Sequence, residues 1–340
     1  MERTGTILRG REFDPVEGRV VIDEDGRIEA IEEASVDGDA LILPAFVNAH
    51  THIGDSIAKE AGGSGLSLEE LVAPPDGLKH RLLRAASRDE LVSAMTRSLQ
   101  FMQRSGTAAC LDFREGDVDG VRMLEDAADG LEIDALSFAR GSVDAMHAGD
   151  GFGASGANDA TFDREREATH EANKPFGIHA GEVDESDITP ALDLDPDFLV
   201  HMVHPEPAHL ERVADNEIPV VVCPRSNLVT DVGLSPYDAL HERTTLALGT
   251  DNVMLNSPSM FREMEFLAKL SNLSADEILR MATVNGAEIA DLEFGLIETG
   301  REARLLVLDG DSNNLAGAQD PVRAVVRRAG VDDVRELVFG

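Results

Sequence analysis

The strongest constraint in this chain is a rhythm. Short apolar runs recur between polar, amphipathic stretches: 41–50, TAACLDF (107–113), EIDALSFA (132–139), GFGASGA (151–157), PFGIHAG (175–181), FLVHMVH (198–204), IPVVVCP (218–224) and TLALGTD (245–251). Such runs suit strands buried on both faces, and the stretches between them carry helical periodicity. Ser87-Arg-Asp-Glu90 and Ser274-Ala-Asp-Glu277 read as capping boxes that open two of the helices. Eight strand–helix repeats over about 250 residues predict an α/β fold, a (β/α)8 TIM barrel, over residues 43–293. A doubly wound sheet would also alternate, but no G-x-G-x-x-G follows the first strand. The glycine-rich GGSGLSLEE (62–70) lacks the Lys-Ser/Thr of a phosphate-binding loop and reads as a mobile loop at the site. The flanks differ. GRVVIDEDGRIEAIEE reads as a hairpin turning at Asp25-Gly26, and ARLLVLDGD and VRAVVRRAGVDDVRELVF read as further strands. Residues 1–42 and 294–340 are therefore expected to build one small β domain from both termini.

Composition removes several classes of function. No apolar run is long enough to span a bilayer, so no membrane partner is expected. The start, MERTGTILRG, has no apolar signal segment, which points to a cytoplasmic protein. The two cysteines, Cys110 and Cys223, exclude a disulfide framework and a cysteine zinc cluster. The formal net charge is -35, with acidic residues spread along the whole chain and lysine only at Lys59, Lys79, Lys174 and Lys269. A phosphate polyanion would be repelled, which argues against nucleic acid as a partner. The composition resembles that of proteins from salt-accumulating halophiles, where the screening length falls to roughly 3 Å in molar salt. Nothing in the chain fixes an oligomeric state, and a homo-oligomer stays open.

Barrel chemistry collects at the C-terminal ends of the strands. Taken in order, those ends read NAHTH (His50, His52), IHAGE (His179, Glu182), VHMVH (His201, His204), CPRSN (Cys223 to Asn227) and GTDN (Asp251). Alternate side chains of a strand share a face, so His50 and His52 point the same way, close enough to grip one ion. His204 precedes a proline and reads as a loop histidine, and Cys223 reads as a small residue packed beneath the site. Ser226 and Asn227 can hydrogen-bond a substrate or a water, or only fix their turn. The zinc deaminases that act on flipped bases need H-x-E with a later P-C-x-x-C, and neither is here.

The order HxH, HxGE, H, D resembles the metal-dependent amidohydrolase superfamily, in particular its single-metal deaminase branch. HAGE and VCPRSN look most like the adenosine deaminase group; the terminal β segments and GTDN look more like the cytosine deaminase and chlorohydrolase group. Adenosine deaminases carry paired aspartates where this chain has Asp251-Asn252. The resemblance implies a metal held by His50, His52, His179 and Asp251. Three neutral imidazoles and a carboxylate suit Zn²⁺ best, with Fe²⁺ the other candidate. Two-metal members carry a bridging carboxylated lysine on the fourth strand; GFGASGAND has none, so one divalent metal ion is expected. Glu182 resembles the family's proton shuttle, His201 a group polarising the attacking water, and Asp251 an acceptor of its proton. The implied activity is hydrolytic deamination of a small aminated heterocycle of nucleobase, nucleoside or pterin type. The alternative is cleavage of a cyclic amide or amidine C–N bond, or of a halogenated triazine; a non-catalytic scaffold is a third reading, and the intact motif set disfavours it. Arg114 and Arg140 follow consecutive strands, so they are expected to converge over the mouth and clamp an acidic group of the substrate. Each could instead neutralise acidic neighbours, as Arg114 beside Asp112 and Glu115.

Overall fold

The computed structural model describes residues 1–62, 66–72 and 76–340. Residues 63–65 of GGSGLSLEE lie outside them, and with them the expectation of a mobile loop. The described residues divide into two compact units: Met1–Asn48, Met102–Ala109 and Ser259–Gly340 in one, Ala49–Phe101 and Cys110–Pro258 in the other. The strands are β1 (Glu2–Arg9), β2 (Asp14–Ile22), β3 (Ile28–Glu33), β4 (Ala40–Pro44) and β5 (Phe46–His52). There follow β6 (Thr107–Arg114), β7 (Asp134–Ala139), β8 (Gly151–Ala154), β9 (Phe176–Ala180) and β10 (Phe198–His201). The chain ends with β11 (Val220–Val222), β12 (Leu246–Leu248), β13 (Asp251–Asn252), β14 (Arg304–Asp309) and β15 (Val334–Phe339).

One sheet has six strands in the order β15-β14-β4-β1-β2-β3 and draws on both ends of the chain. Its alternating apolar residues, among them Ile7, Val20, Ile42, Leu305 and Val338, form one buried cluster. β2 and β3 are the expected hairpin, paired antiparallel through a turn in which Gly26 takes φ 78° and Asp23 Oδ1 accepts from the amides of Asp25 and Arg27. Two sequence expectations need correction. The run 41–50 is not one strand: β4 ends at Pro44, which has no N–H to continue the ladder, and β5 begins two residues later. VRAVVRRA is a helix, Pro321–Arg328, opened by an Asp320 cap whose Oδ1 accepts from Arg323 N at 2.8 Å, with Pro321 in the first turn. Val322, Val325 and Val326 are buried along one helical face, a spacing that reads as strand only if the cap is overlooked.

The second sheet has nine strands in the order β12-β11-β10-β9-β8-β7-β6-β5-β13. Paired registers such as β8 with β9, β9 with β10 and β10 with β11 are parallel. β12 and β13 are two halves of one strand interrupted at Gly249 and Thr250: Leu246–Leu248 pairs with β11, while Asp251 and Asn252 pair with Thr51 and His52 of β5. One edge of the sheet is thereby carried round to the other, which makes a TIM-like barrel of eight effective strands. Its interior is packed, not hollow. Phe113 of β6 and Phe198 of β10 are not on neighbouring strands, yet their rings lie 6.0 Å apart, with Phe138 against both. A Cβ at position 177 would stand 2.2 Å from the Phe198 ring, so β9 needs Gly177 for this layer to fit. Both expected capping boxes are formed, Ser87 with Glu90 and Ser274 with Glu277. Among the described residues no helix is long and apolar enough to cross a membrane.

Candidate active site

The site sits directly above the phenyl layer, with the His179 ring edge-on to Phe113 at 5.1 Å. His50 and His52 come from the end of β5, His179 from β9, His201 from β10 and Asp251 from β13; Glu182 follows β9. Ring centroids of His50 lie 5.0 Å from His52 and 4.9 Å from His179. The hydrogen bonds fix how two of these rings are protonated. His52 Nδ1 lies 3.1 Å from the Phe113 carbonyl and His179 Nδ1 lies 2.8 Å from the Ala154 carbonyl. A carbonyl only accepts, so both Nδ1 atoms donate and both Nε2 atoms carry lone pairs. His50 is fully buried and, among the described residues, neither of its nitrogens has a hydrogen-bond partner, although Nε2 lies 3.3 Å from Asp251 Oδ1. His52 Nε2 lies 3.6 Å from that same oxygen. A buried polar atom without a hydrogen bond is rare and asks for an explanation. Here His50, His52 and Asp251 offer ligand atoms within 4.8 Å of one another, as do His50, His179 and His201, and donors of these kinds suit a divalent ion.

Burial sets the charges. It lowers the pKa of His52 to about 3, helped by the ammonium of Lys79, and it lowers those of His50 and His179 as well. The imidazoles are therefore neutral, as metal ligands must be. Burial alone would raise Asp251, but His50, His201 and His52 outweigh it and hold the carboxyl well below its ordinary range. Glu182 goes the other way: burial raises its pKa, His201 opposes that, and the nearby Asp251 adds to it. Two carboxyls in one site are thus pushed apart, one toward the ionised and one toward the protonated form.

Neighbouring groups hold these side chains in place. Ser226 donates its hydroxyl to Asp251 Oδ2, and Thr51 Oγ1 donates to the Asp251 carbonyl at 3.1 Å. Asn227 Nδ2 donates to His201 Nδ1 at 3.1 Å, which leaves His201 Nε2 facing Glu182 Oε2 at 3.5 Å. Ser226 and Asn227 are thus engaged with site residues. His201 and Asp251 both adopt positive φ, 79° and 55°, a sparsely populated backbone for such residues that is characteristic of functional sites. His204 donates from Nε2 to the Val232 carbonyl in a loop, and Cys223 is buried, as the sequence suggested.

The arginines separate. Arg140 lines the cavity above the site, about 650 Å³ in volume, and places Nη1 3.1 Å from Glu115 Oε1. Arg114 does not join it. Its buried guanidinium packs over Gly54, where a Cβ would fall 2.0 Å from Nη2, and it faces Asp112, Glu115 and the Met95 sulfur. The acidic neighbours in DFRE, visible in the sequence, are what hold it. The cation beside Arg140 is instead Lys79, a position that no motif in the chain marks. Lys79 lines the same cavity, with Nζ 2.8 Å from Glu115 Oε1 and 3.1 Å from Asp55 Oδ2.

A parallel barrel with three imidazoles and a carboxylate converging at the C-terminal ends of its strands has the layout of a metal-assisted hydrolase. Residues 41–334 match the Amidohydrolase family, and the chain belongs to that family, a hydrolase acting on carbon–nitrogen bonds. A protein of Methanothermobacter thermautotrophicus, provisionally described as an aminohydrolase, is 34% identical over 98% of this chain and 96% of its own length. The 5-methylthioadenosine/S-adenosylhomocysteine deaminase of Haloarcula marismortui is 28% identical over 94% of this chain and 84% of its own. Among solved structures, atrazine chlorohydrolase of Arthrobacter aurescens complexed with zinc superposes with a TM-score of 0.82 at 17% identity, covering 99% of this chain and 93% of that one, a likeness of fold.

Proposed function

We propose that the chain is a metal-dependent hydrolytic deaminase of a small aminated heterocycle. The observation that carries this reading is the clustering of His50, His52 and Asp251, whose ligand atoms lie within 4.8 Å of one another, with His179 in the same range of His50 and His201, and Glu182 in the same range of His201 and Asp251. His50, His52, His179 and Asp251 would hold one divalent ion, Zn²⁺ by preference. Such an ion lowers the pKa of a bound water to about 7 and so supplies a nucleophile at neutral pH.

The chain's own groups then do the proton work. Glu182, whose burial favours its protonated form, delivers a proton to the ring nitrogen beside the amino-bearing carbon. Asp251, kept ionised, accepts the proton that the attacking water gives up. The carbon–oxygen bond forms, the carbon–nitrogen bond breaks, and the amino group leaves as ammonia once protonated. His201, held by Asn227, is placed to polarise the attacking oxygen; Ser226 orients Asp251. Arg140 meets an acidic group of the substrate, if it has one, without Arg114. The 5-methylthioadenosine/S-adenosylhomocysteine deaminase among its relatives supports a nucleoside-type substrate over a bare base.

The test pairs metal analysis with ammonia release from nucleobases, 5-methylthioadenosine, S-adenosylhomocysteine, a pterin and atrazine. Expected are about one equivalent of Zn or Fe, lost in a His50→Ala/His52→Ala variant, and ammonia from one of the aminated heterocycles. Two equivalents would remove the single-metal assignment. Ring opening or chloride release without ammonia would transfer the site to the amide or triazine reading.

A further inference from the structure

We infer that Lys79 is a positioning residue: acting through Glu115 it fixes the imidazole of His52, with Asp55 anchoring its ammonium from the other side. The inference rests on the metal-binding part of the function proposed above. Its basis is a chain of buried contacts that ends on the candidate ligands. Glu115 Oε1 collects Lys79 Nζ at 2.8 Å, Arg140 Nη1 at 3.1 Å and His52 Nδ1 at 3.3 Å. The Nδ1–H of His52 is therefore shared between the Phe113 carbonyl and a carboxylate. A carboxylate on that hydrogen fixes the ring's orientation and makes the far nitrogen a better donor to a metal.

Asp55 explains why the cation must be there. Its side chain is completely buried and neither oxygen has a hydrogen-bond partner among the described residues; Lys79 Nζ, 3.1 Å from Oδ2, is what faces it. Around this point Lys79, Arg114 and Arg140 balance Asp55, Asp112 and Glu115 one for one. Removing Lys79 would leave one carboxylate, Asp55, without its cation, and would take away the shortest of the contacts that hold Glu115 beside His52. The residue type fits as well. This chain has 4 lysines among its 30 basic residues, yet one of them is here. A compact ammonium fits between two carboxylates approached from different directions, whereas the broad, planar guanidinium suits one carboxylate side-on.

The experiment separates positioning from simple charge neutralisation. Lys79→Met/Asp55→Asn removes the ammonium together with the carboxylate it balances, while Glu115→Gln breaks the link to His52 directly. The measurements are melting temperature, the Co²⁺ dissociation constant by chelator competition, and the visible spectrum of the Co²⁺-loaded protein. Both variants are expected to bind Co²⁺ about 10–100-fold more weakly, with a shifted spectrum. In the triple variant the two losses should not add, because the changes share one path. Wild-type affinity and spectrum in either folded variant would overturn the inference, even where the melting temperature falls. If the double variant does not fold, Glu115→Gln alone decides. Absence of Co²⁺ binding by the wild-type protein would be a different failure, taking the metal-binding reading down together with this one.

Discussion

Pairs of opposite charge occur in two settings in this molecule. On the six-stranded sheet, Arg3–Glu336 and Arg335–Asp39 are exposed at 27%/41% and 40%/44%. In the barrel, Lys79–Asp55 and Arg114–Asp112 are both 4%/0%. The functional groups are the same, but water is not. Exposed pairs gain little, typically 0–1 kcal/mol, because solvent and salt already screen each partner. A buried pair adds little net stability over an apolar one, yet losing one member strands a charge in a medium that cannot solvate it. The surface pairs are therefore individually dispensable, and the barrel's charges are interdependent.

Substitutions can break or sharpen that contrast. The largest effect is expected of a half-buried carboxyl in the candidate site. Glu182→Gln should keep fold and metal but lower kcat by about 10²–10⁴-fold, since an amide delivers no proton. Glu32→Gln, on the exposed sheet, should leave turnover unchanged, and loss of metal from the Glu182 variant would make that residue a ligand instead. Next comes Arg114→Met, which strands the fully buried Asp112 and should destabilise the protein by about 3–5 kcal/mol in denaturant titration. An effect under about 1 kcal/mol would mean that Asp112 finds other compensation. Arg140→Met should raise KM for an anionic substrate alone by the equivalent of about 1.5–3 kcal/mol, the range for a charged hydrogen bond. Equal loss on a matched neutral substrate would reduce Arg140 to a partner of Glu115. The smallest effect is expected of Arg3→Met, under about 1 kcal/mol and shrinking in molar KCl, as a comparison of unfolding midpoints at two salt concentrations can check.

The same divide governs what the sequence discloses. Candidate ligands were legible because a barrel strand's C-terminal end is a position that can be read from an apolar run, and His50, His52, His179, His201 and Asp251 all follow one. Arg114 and Arg140 were legible as positions but not as partners: both come after consecutive strands, yet Asp112 and Glu115 draw Arg114 down over Gly54. Lys79 was invisible for a different reason. It lies in helix Leu78–Ala85, between the first and second barrel strands, and only tertiary folding brings it to Glu115. No periodicity records such a meeting. The helix Pro321–Arg328 was misread because its valines favour strands in isolation, whereas its Asp-Pro start and its packing decided the matter.

The interrupted strand that closes the barrel has a consequence for how the chain matures. Pairing of Asp251 with Thr51 completes the cylinder and, in the same event, brings the carboxylate to His50 and His52, across 200 residues of sequence. During synthesis the two histidines emerge long before their acidic partner exists. At about 5–20 residues per second, the ribosome leaves them waiting roughly 10–40 s. Non-local pairing of this kind forms late, because the entropy of closing so long a loop must be overcome before any contact rewards it. The candidate ligand set is thus complete only in the closed cylinder, where a bound ion would act as a clasp on this pairing. A nascent or proteolysed chain that lacks the final strand keeps three imidazoles and no closure. On the proposed ligand assignment, metal would be taken up only after folding, and ion occupancy would mark its completion.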